Sequence, residues 1–356
     1  MIAEALEAQR GWSSDLRHLE MRPDYVLGKP RAGPMLDHLD MARSDALAPP
    51  WPDLILTCGR RPANAALWIK RQSGGHTRIV LVGKPSGCMS DFDLVIGSAE
   101  TVLAPFANVL YTGLPLMRFG SDRLAAERDA WEKTLGRLPR PLVAFLIGGP
   151  TLPFTFDARV LRRLRARITG VLDAGGTPFL VGSRRTPPGF VQRLAAGLPD
   201  RLRVYEWDGS GAANPYGGLL ALGDRFVVTG DSISMQVEVA RLGKPLEIVP
   251  LSTGRLGSLD HARRSATAWL LQPPRNAGIA ETARTALARG LYRLKLVPQT
   301  RHYPRFHRML VARGLACWVG TATDDGRPAG PDHDDHTDDD MARIVARIDR
   351  LVGAAS

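Results

Sequence analysis

Short runs of apolar residues, each closed by a glycine, set the rhythm of this chain. They fall at residues 54–58 before Gly59, 79–82 before Gly83, 94–96 before Gly97, 142–147 before Gly148, 178–181 before Gly182 and 226–228 before Thr229 and Gly230. Continuous rather than alternating apolar character fits strands buried on both faces, as parallel sheets require. Residues 202–205 and 246–249 are further strands, and 109–111 is a weaker one. Amphipathic or charged helices are predicted between them at 63–71, 121–135 and 157–174, with a further helix after Ser232 that Gly243 and Pro245 close. Alternating strands and helices predict α/β architecture with doubly wound parallel sheets. Upstream, residues 2–10 read as a helix, Leu19 and Met21 as a short strand, and 29–52 as a Pro-rich connection.

At 356 residues the chain exceeds the size at which one core usually stops growing. The stretch 136–141 is the expected linker, giving Rossmann-like domains over 1–138 and 139–298. Two such domains would face a central cleft at the carboxyl ends of both sheets, where open α/β sheets bind ligands. A net charge of +11 favours polyanions, whether nucleic acid, anionic lipid or phosphorylated substrates. Cys58, Cys88 and Cys317 are odd in number and lack metal-ligand spacing, so reduced thiols in a cytoplasmic setting and no metal site are expected. No apolar run is long enough to span a bilayer, so membrane contact would be peripheral, at the inner membrane.

The candidate chemistry centres on residues 227–245. A strand ending at Val228, a turn containing Gly230, and a helix opened by Asp231 or Ser232 would present backbone N–H groups and the hydroxyls of Ser232 and Ser234 at a helix N-terminus. That end of a helix favours an anion such as a diphosphate. Glu238, further along, could accept hydrogen bonds from a ribose diol. The same residues also read simply as an N-cap and a solvated acid. The turns at Gly148-Gly149 and at 182–186 follow strands of the same domain and should converge on the same cleft.

The motifs Cys58-Gly59-Arg60-Arg61-Pro62, Leu146-Ile147-Gly148-Gly149-Pro150-Thr151, Gly182-Ser183-Arg184-Arg185-Thr186-Pro187, Asn214-Pro215-Tyr216 and Thr229 through Pro245 together resemble the mitochondrial-fission "elongated mitochondria" family. The likeness runs from about Asp53 to about Leu296. That family is related to GT-B glycosyltransferases and nucleotide-sugar epimerases. The resemblance implies a GT-B-like fold and a nucleotide-sugar substrate with no separate cofactor. It implies donor contacts from Gly148, Gly149, Ser183, Asp231, Ser232, Ser234, Met235 and Glu238. Arg184 and Arg185 would stabilise the leaving diphosphate, since guanidinium suits bidentate phosphate contact. Gly59, Arg60 and Arg61 would lie on the acceptor side. The acceptor would be a saccharide or lipid-linked glycoconjugate of the cell envelope, with no nucleic acid partner. A non-enzymatic fission-type adaptor and a nucleotide-sugar epimerase or hydrolase are the rival readings.

Two departures qualify the resemblance. Related proteins begin with a strand and glycine loop ahead of the helix at 2–10. Their absence predicts uncovered core surface and suggests a start upstream of Met1. Family members often carry a His-Asp pair where this chain has residues 97–101, so a general base borrowed from that pair is not expected here, and Glu100 and Asp93 are the candidate bases for an inverting transferase. Lys244 is expected only to favour the C-terminus of its helix. The pattern of related chains also predicts a crossing helix at 299–315, containing the basic-aromatic stretch 302–308. A disordered acidic segment at 316–340 and a short terminal helix at 341–356 are expected after it.

Overall fold

A computed structural model describes residues 1–25, 30–85, 87, 89–117, 120–207, 209, 213–273, 278–321 and 337–353. In chain order the first elements are α1 (Ile2–Arg10), β1 (Leu54–Cys58), α2 (Arg60–Gln72), β2 (Arg78–Val82), β3 (Leu94–Ser98), β4 (Thr101–Val102), β5 (Val109–Thr112) and α3 (Ser121–Leu135). Next come β6 (Leu142–Ile147), β7 (Phe154–Thr155), α4 (Ala158–Asp173), β8 (Thr177–Gly182), α5 (Phe190–Ala195), β9 (Arg203–Tyr205), α6 (Tyr216–Leu222), β10 (Arg225–Thr229) and α7 (Ile233–Arg241). The chain finishes with β11 (Leu246–Val249), β12 (Ser252–Thr253), α8 (Arg255–Leu271), α9 (Ile279–Arg293), β13 (Thr300–Arg301), α10 (Tyr303–Ala312), β14 (Cys317–Trp318) and α11 (Thr337–Gly353). The α/β alternation is therefore real, and every pairing in the two main sheets is parallel.

The chain forms two compact units. Unit 1 comprises Met1–Leu116, Ala266–His302 and His336–Ser356, and unit 2 comprises Met117–Ser265 and Tyr303–Asp335. Unit 1 holds the sheet β1-β2-β3-β5, whose order runs without reversal. Alternation along these strands sends Ile79, Leu81 and Val95 to one face, where they meet Ala63, Ala66 and Leu67 of α2 together with Leu271 and Ala288. Val80, Leu94 and Ile96 point the other way. They are buried against Ile2 and Leu6 of α1 and Ile344, Val345 and Ile348 of α11. The first and last helices thus cover this face of the sheet.

Unit 2 holds the sheet β14-β11-β10-β6-β8-β9. The chain builds outward from β6 through β8 to β9. It then returns to the other side of β6 with β10, β11 and β14. The order reverses between β6 and β10, which is the switch point where open α/β sheets bind ligands. Val143, Phe145 and Ile147 of β6 pack with Val160, Leu164 and Ile168 of α4, and all are fully buried. Asp157 caps α4 by accepting the N–H groups of Arg159 and Val160, both at 3.0 Å. Against α6 lies α3, brought close by glycines. A Cβ on Gly218 would fall 2.3 Å from the Trp131 ring, and one on Gly217 2.3 Å from the Glu127 carboxyl carbon.

Several expected boundaries fall differently. The expected break at 138/139 lies inside unit 2, because α3 packs on α6. Residues 266–302, grouped with the second domain by sequence, sit in unit 1. Within 299–315, β13 pairs with β4 in unit 1, whereas α10 belongs to unit 2. Tyr303, Phe306 and His307 of the basic-aromatic stretch are buried, so they form core rather than a binding surface. Cys317–Trp318 pairs with β11 as the edge strand of the sheet. The terminal helix starts at Thr337, with Asp339 and Asp340 of the expected acidic segment in its first turn, where the helix dipole favours them. The remainder of the acidic segment, 322–336, lies outside the described residues. Leu19 forms no strand, and Met21 makes only an isolated bridge to Leu39. Cys58 is exposed and Cys317 buried, both as free thiols, and Cys88 lies outside the described residues.

Candidate functional site

Because β8, β6 and β10 are neighbours, their carboxyl ends deliver three turns to one place. Gly148 donates its N–H to the Thr229 hydroxyl at 2.8 Å, and Gly149 donates to Asp231 Oδ2 at 3.0 Å. The Thr186 hydroxyl lies 2.9 Å from the Ile147 carbonyl and 2.8 Å from that of Gly148, and accepts the Ser183 N–H at 2.7 Å. The cluster sits at the switch point of the unit 2 sheet.

Close approach is what demands glycine here. A Cβ on Gly149 would stand 1.8 Å from the Arg185 carbonyl oxygen, and one on Gly148 2.2 Å from Asp231 Oδ2 and 2.4 Å from Ser232 Oγ. Both glycine N–H groups are already bonded within the cluster. Arg185 extends its guanidinium over the turn before α7. It donates to the Thr151 hydroxyl and reaches Ser232 Oγ and Asp231 Oδ2, each at 3.3 Å. Arg184, on the same turn, is exposed.

Asp231 does not act as a helix cap. Its side chain is buried among Gly149, Thr229 and Arg185. Burial pushes its pKa up, against the opposing pull of those hydrogen bonds and of the Arg185 charge. Ser232 occupies the N-cap position without a side-chain cap bond. The first-turn N–H groups of Ile233, Ser234 and Met235 have no partner inside the helix, as at any helix start. Ser234 is exposed and Met235 half-buried, so this end of α7 reaches the surface.

Further along α7, the half-buried Glu238 accepts a hydrogen bond from the Tyr216 phenol at the start of α6. Burial raises the carboxyl pKa, while Tyr216 and the charge of Arg123 pull it down. Burial first, then the Glu238 charge, pushes the phenol pKa up, so Tyr216 stays protonated and acts as a fixed donor. Behind the turn, α10 brings the His307 ring against Gly230, where a Cβ would lie 3.2 Å from His307 Cε1. The Gln236 amide donates to the Thr229 carbonyl at 3.0 Å.

The contacts above link Gly148, Gly149, Ser183, Arg185, Asp231 and Ser232 at the carboxyl ends of these strands, with Arg184 beside Arg185, while Ser234, Met235 and Glu238 follow along α7. Sequence reasoning assigned no role to Tyr216, Arg123, Thr151, Thr186, Thr229 or His307. A threonine ending an apolar strand and a tyrosine opening a helix after Asn-Pro were visible signals for Thr229 and Tyr216. Arg123 and His307 gave none, since both come from remote elements.

In unit 1, Gly59 joins β1 to α2, which opens with Arg60 and Arg61; Arg60 is exposed and Arg61 half-buried. The two candidate bases fare poorly. Asp93 lies at the amino end of β3, away from the ligand-binding edge. Its carboxylate is taken by Lys70 at 2.6 Å, Arg78 at 3.4 Å and the Ile79 N–H at 2.8 Å. Glu100 is buried, with one oxygen 2.6 Å from the Ser98 hydroxyl. Lys244 also departs from expectation. It caps α6 rather than α7, donating to the Ala221 and Gly223 carbonyls at 3.0 and 2.8 Å. Burial lowers its pKa to about 8.

The model of a family described as Mitochondrial fission ELM1 matches residues 2–265, more than half of the chain. The chain belongs to this family. The match starts and ends earlier than the motifs suggested. The chain is 31% identical over 222 residues to Mitochondrial fission protein ELM1 of Arabidopsis thaliana, covering 56% of this chain and 51% of that protein. It is 23% identical over 233 residues to Uncharacterized protein RP120 of Rickettsia prowazekii (strain Madrid E), covering 55% of this chain and 64% of that one. The chain thus spans about half the length of the plant relative and under two thirds of the rickettsial one. Partial likeness also extends to solved glycosyltransferases. E. coli ADP-heptose lps heptosyltransferase II matches at 13% identity and TM-score 0.34, over 53% of this chain and 67% of that one. A glycosyltransferase from Rickettsia africae ESF-5 matches at 10% identity and TM-score 0.35, over 85% and 78%. No helix among the described residues is long and apolar enough to cross a membrane.

Proposed function

We propose that unit 2 binds a nucleotide-sugar at the switch point and that the protein is a glycosyltransferase of GT-B type. The observation that carries this reading is a guanidinium, Arg185, held over a helix N-terminus where three strand-end turns meet. The diphosphate would take the α7 first turn and the Ser232 and Ser234 hydroxyls, beside Ser183 and Met235. Gly148 and Gly149 would serve by allowing the turns to close up. Arg185, moving from Asp231 to the phosphates and joined by Arg184, would neutralise charge building on the leaving group. Glu238, oriented by Tyr216, would accept the ribose diol. Gly59, Arg60 and Arg61 of unit 1 would serve the acceptor, a saccharide or lipid-linked glycoconjugate of the cell envelope at the cytoplasmic face of the inner membrane.

One observation favours a different reading. The Gly149 N–H, which a phosphate could use, is taken by the protein's own Asp231 carboxylate. An anion site filled from within suits a non-enzymatic adaptor, in keeping with the family's name. Product analysis separates the readings. Nucleotide-sugar donors would be incubated with and without saccharide and lipid-phosphate acceptors, and the products resolved by mass spectrometry. Nucleotide release only with acceptor supports transfer, release or isomerisation with donor alone supports hydrolysis or epimerisation, and unchanged donor throughout supports the adaptor.

A further inference from the structure

Unit 1 carries a basic concavity, apart from the residues of the unit 2 cluster. One turn and one helix build it. Ala107 before β5, Val109 and Leu110 at its start, and Arg343, Ala346, Arg347 and Arg350 of α11 line it. Spacings of four and three residues put the three arginines on one face of α11, along about 10 Å of helix. The opposite face of the same helix buries Ile344, Val345 and Ile348 in the core. The result is an open groove of about 340 Å³ with an apolar floor and a guanidinium rim, and no carboxylate among its lining residues.

We propose that this groove binds a phosphate-bearing anion, at a site separate from that of unit 2. Arg347 is anchored by donating one NH2 group to the Ala107 carbonyl at 2.8 Å, and Arg350 is braced by the Ala346 carbonyl at 3.2 Å. Such anchoring orders both side chains before a ligand arrives and lowers the entropy lost on binding. Arg343 is partly neutralised by Asp340 at 3.0 Å, so Arg347 and Arg350 are the principal contacts. The guanidinium fork matches phosphate oxygens bidentately, and Val109 and Leu110 supply a surface for an apolar portion next to the phosphate. A free polyphosphate and the phosphate of a lipid headgroup share this chemistry.

The test uses the full chain and two probes. Inorganic pyrophosphate is titrated calorimetrically, and flotation is measured with phosphatidylcholine vesicles with and without phosphatidic acid. The variant is Arg347→Gln with Arg350→Gln. Arg159→Gln with Arg162→Gln is the charge-matched control, on an exposed face of α4 in unit 2, and Arg185→Gln removes the unit 2 cation. Circular dichroism checks folding, with Arg350→Gln alone as the fallback variant. Compared in the Arg185→Gln background, so that pyrophosphate bound at unit 2 does not count, affinity for at least one probe should fall about tenfold or more in the α11 variant and hold in the α4 control, given the usual strength of charged hydrogen bonds. A loss confined to vesicles assigns a lipid headgroup, and a loss with pyrophosphate assigns a soluble ligand. Failure of the parent protein to bind either probe, unchanged binding by the α11 variant, or an equal loss in the α4 control would overturn the proposal.

Discussion

His307 offers a sharp test of how the turn before α7 is supported, because burial should leave a pH signature. Its ring is buried, its Nε2 has no hydrogen-bond partner, and Trp318 packs edge-on at 5.8 Å. Burial pushes the pKa from 6.5 down to about 4, against the opposing pull of a hydrogen bond with the Gly230 backbone. Above the unfolded value both states are neutral and the ring costs nothing. As pH falls through that value the unfolded chain takes up a proton that the folded chain refuses, so stability drops until the folded pKa is reached. At 1.36 kcal/mol per pKa unit, the loss is about 3 kcal/mol across the window. His307→Phe keeps an aromatic ring of similar size and removes the titration. Urea unfolding at several pH values, read alongside NMR of labelled histidine to avoid assuming one cooperative transition for two units, gives the comparison. The parent should lose about 2 to 3 kcal/mol more than the variant between about pH 7 and pH 4.5. Parallel losses in the two proteins, or a His307 resonance titrating near 6.5, would refute a neutral buried ring behind Gly230.

Two further substitutions probe the same unit. Gly149→Ala must displace the Arg185 main chain and should cost about 1 to 3 kcal/mol or more, whereas Gly170→Ala, with open space around it within α4, should gain up to about 1 kcal/mol; thermal melts that rank them the other way would contradict the packing described. Glu247, buried on β11, is held by Arg167 Nε at 3.0 Å and Nη2 at 2.6 Å. Arg167→Met strands that charge and should cost about 3 to 5 kcal/mol, while Arg167→Met with Glu247→Leu should recover most of it, measured by chemical unfolding.

Strand content was legible because both sheets are parallel and buried on both faces, which writes itself as continuous apolar runs. Leu142–Ile147 carries that signature over its full observed length, whereas Leu246–Val249 is interrupted by Glu247, whose charge is paired with Arg167. Cys317–Trp318 did not, since two residues are too short for a pattern, and its strand character comes from β11 alone. The apolar spacing of α11 announced a helix but not its partner. Burial against Val80, Leu94 and Ile96 depends on sheet residues more than 200 positions away. For the same reason residues 266–302, grouped with the second domain by sequence, did not reveal which core they complete. The turn residues were legible as glycine-rich strand ends. The internal bonding that engages Gly148, Gly149 and Asp231 was not, because it depends on strand order. Asp93 could have been set aside from sequence, since it precedes its strand and so falls at the amino edge, opposite the ligand-binding side.

The most direct test of the nucleotide-sugar account is thermal unfolding of the protein against UDP, GDP, ADP, CMP and their sugar conjugates, with Arg185→Gln and Glu238→Ala alongside. Ligand at about 100 times its dissociation constant adds roughly 2.7 kcal/mol, a shift of a few degrees. The account predicts that one nucleotide family raises the midpoint of the parent and that both variants, folded, lose the shift. A parent protein that no nucleotide stabilises, or a shift that survives both substitutions, would contradict it.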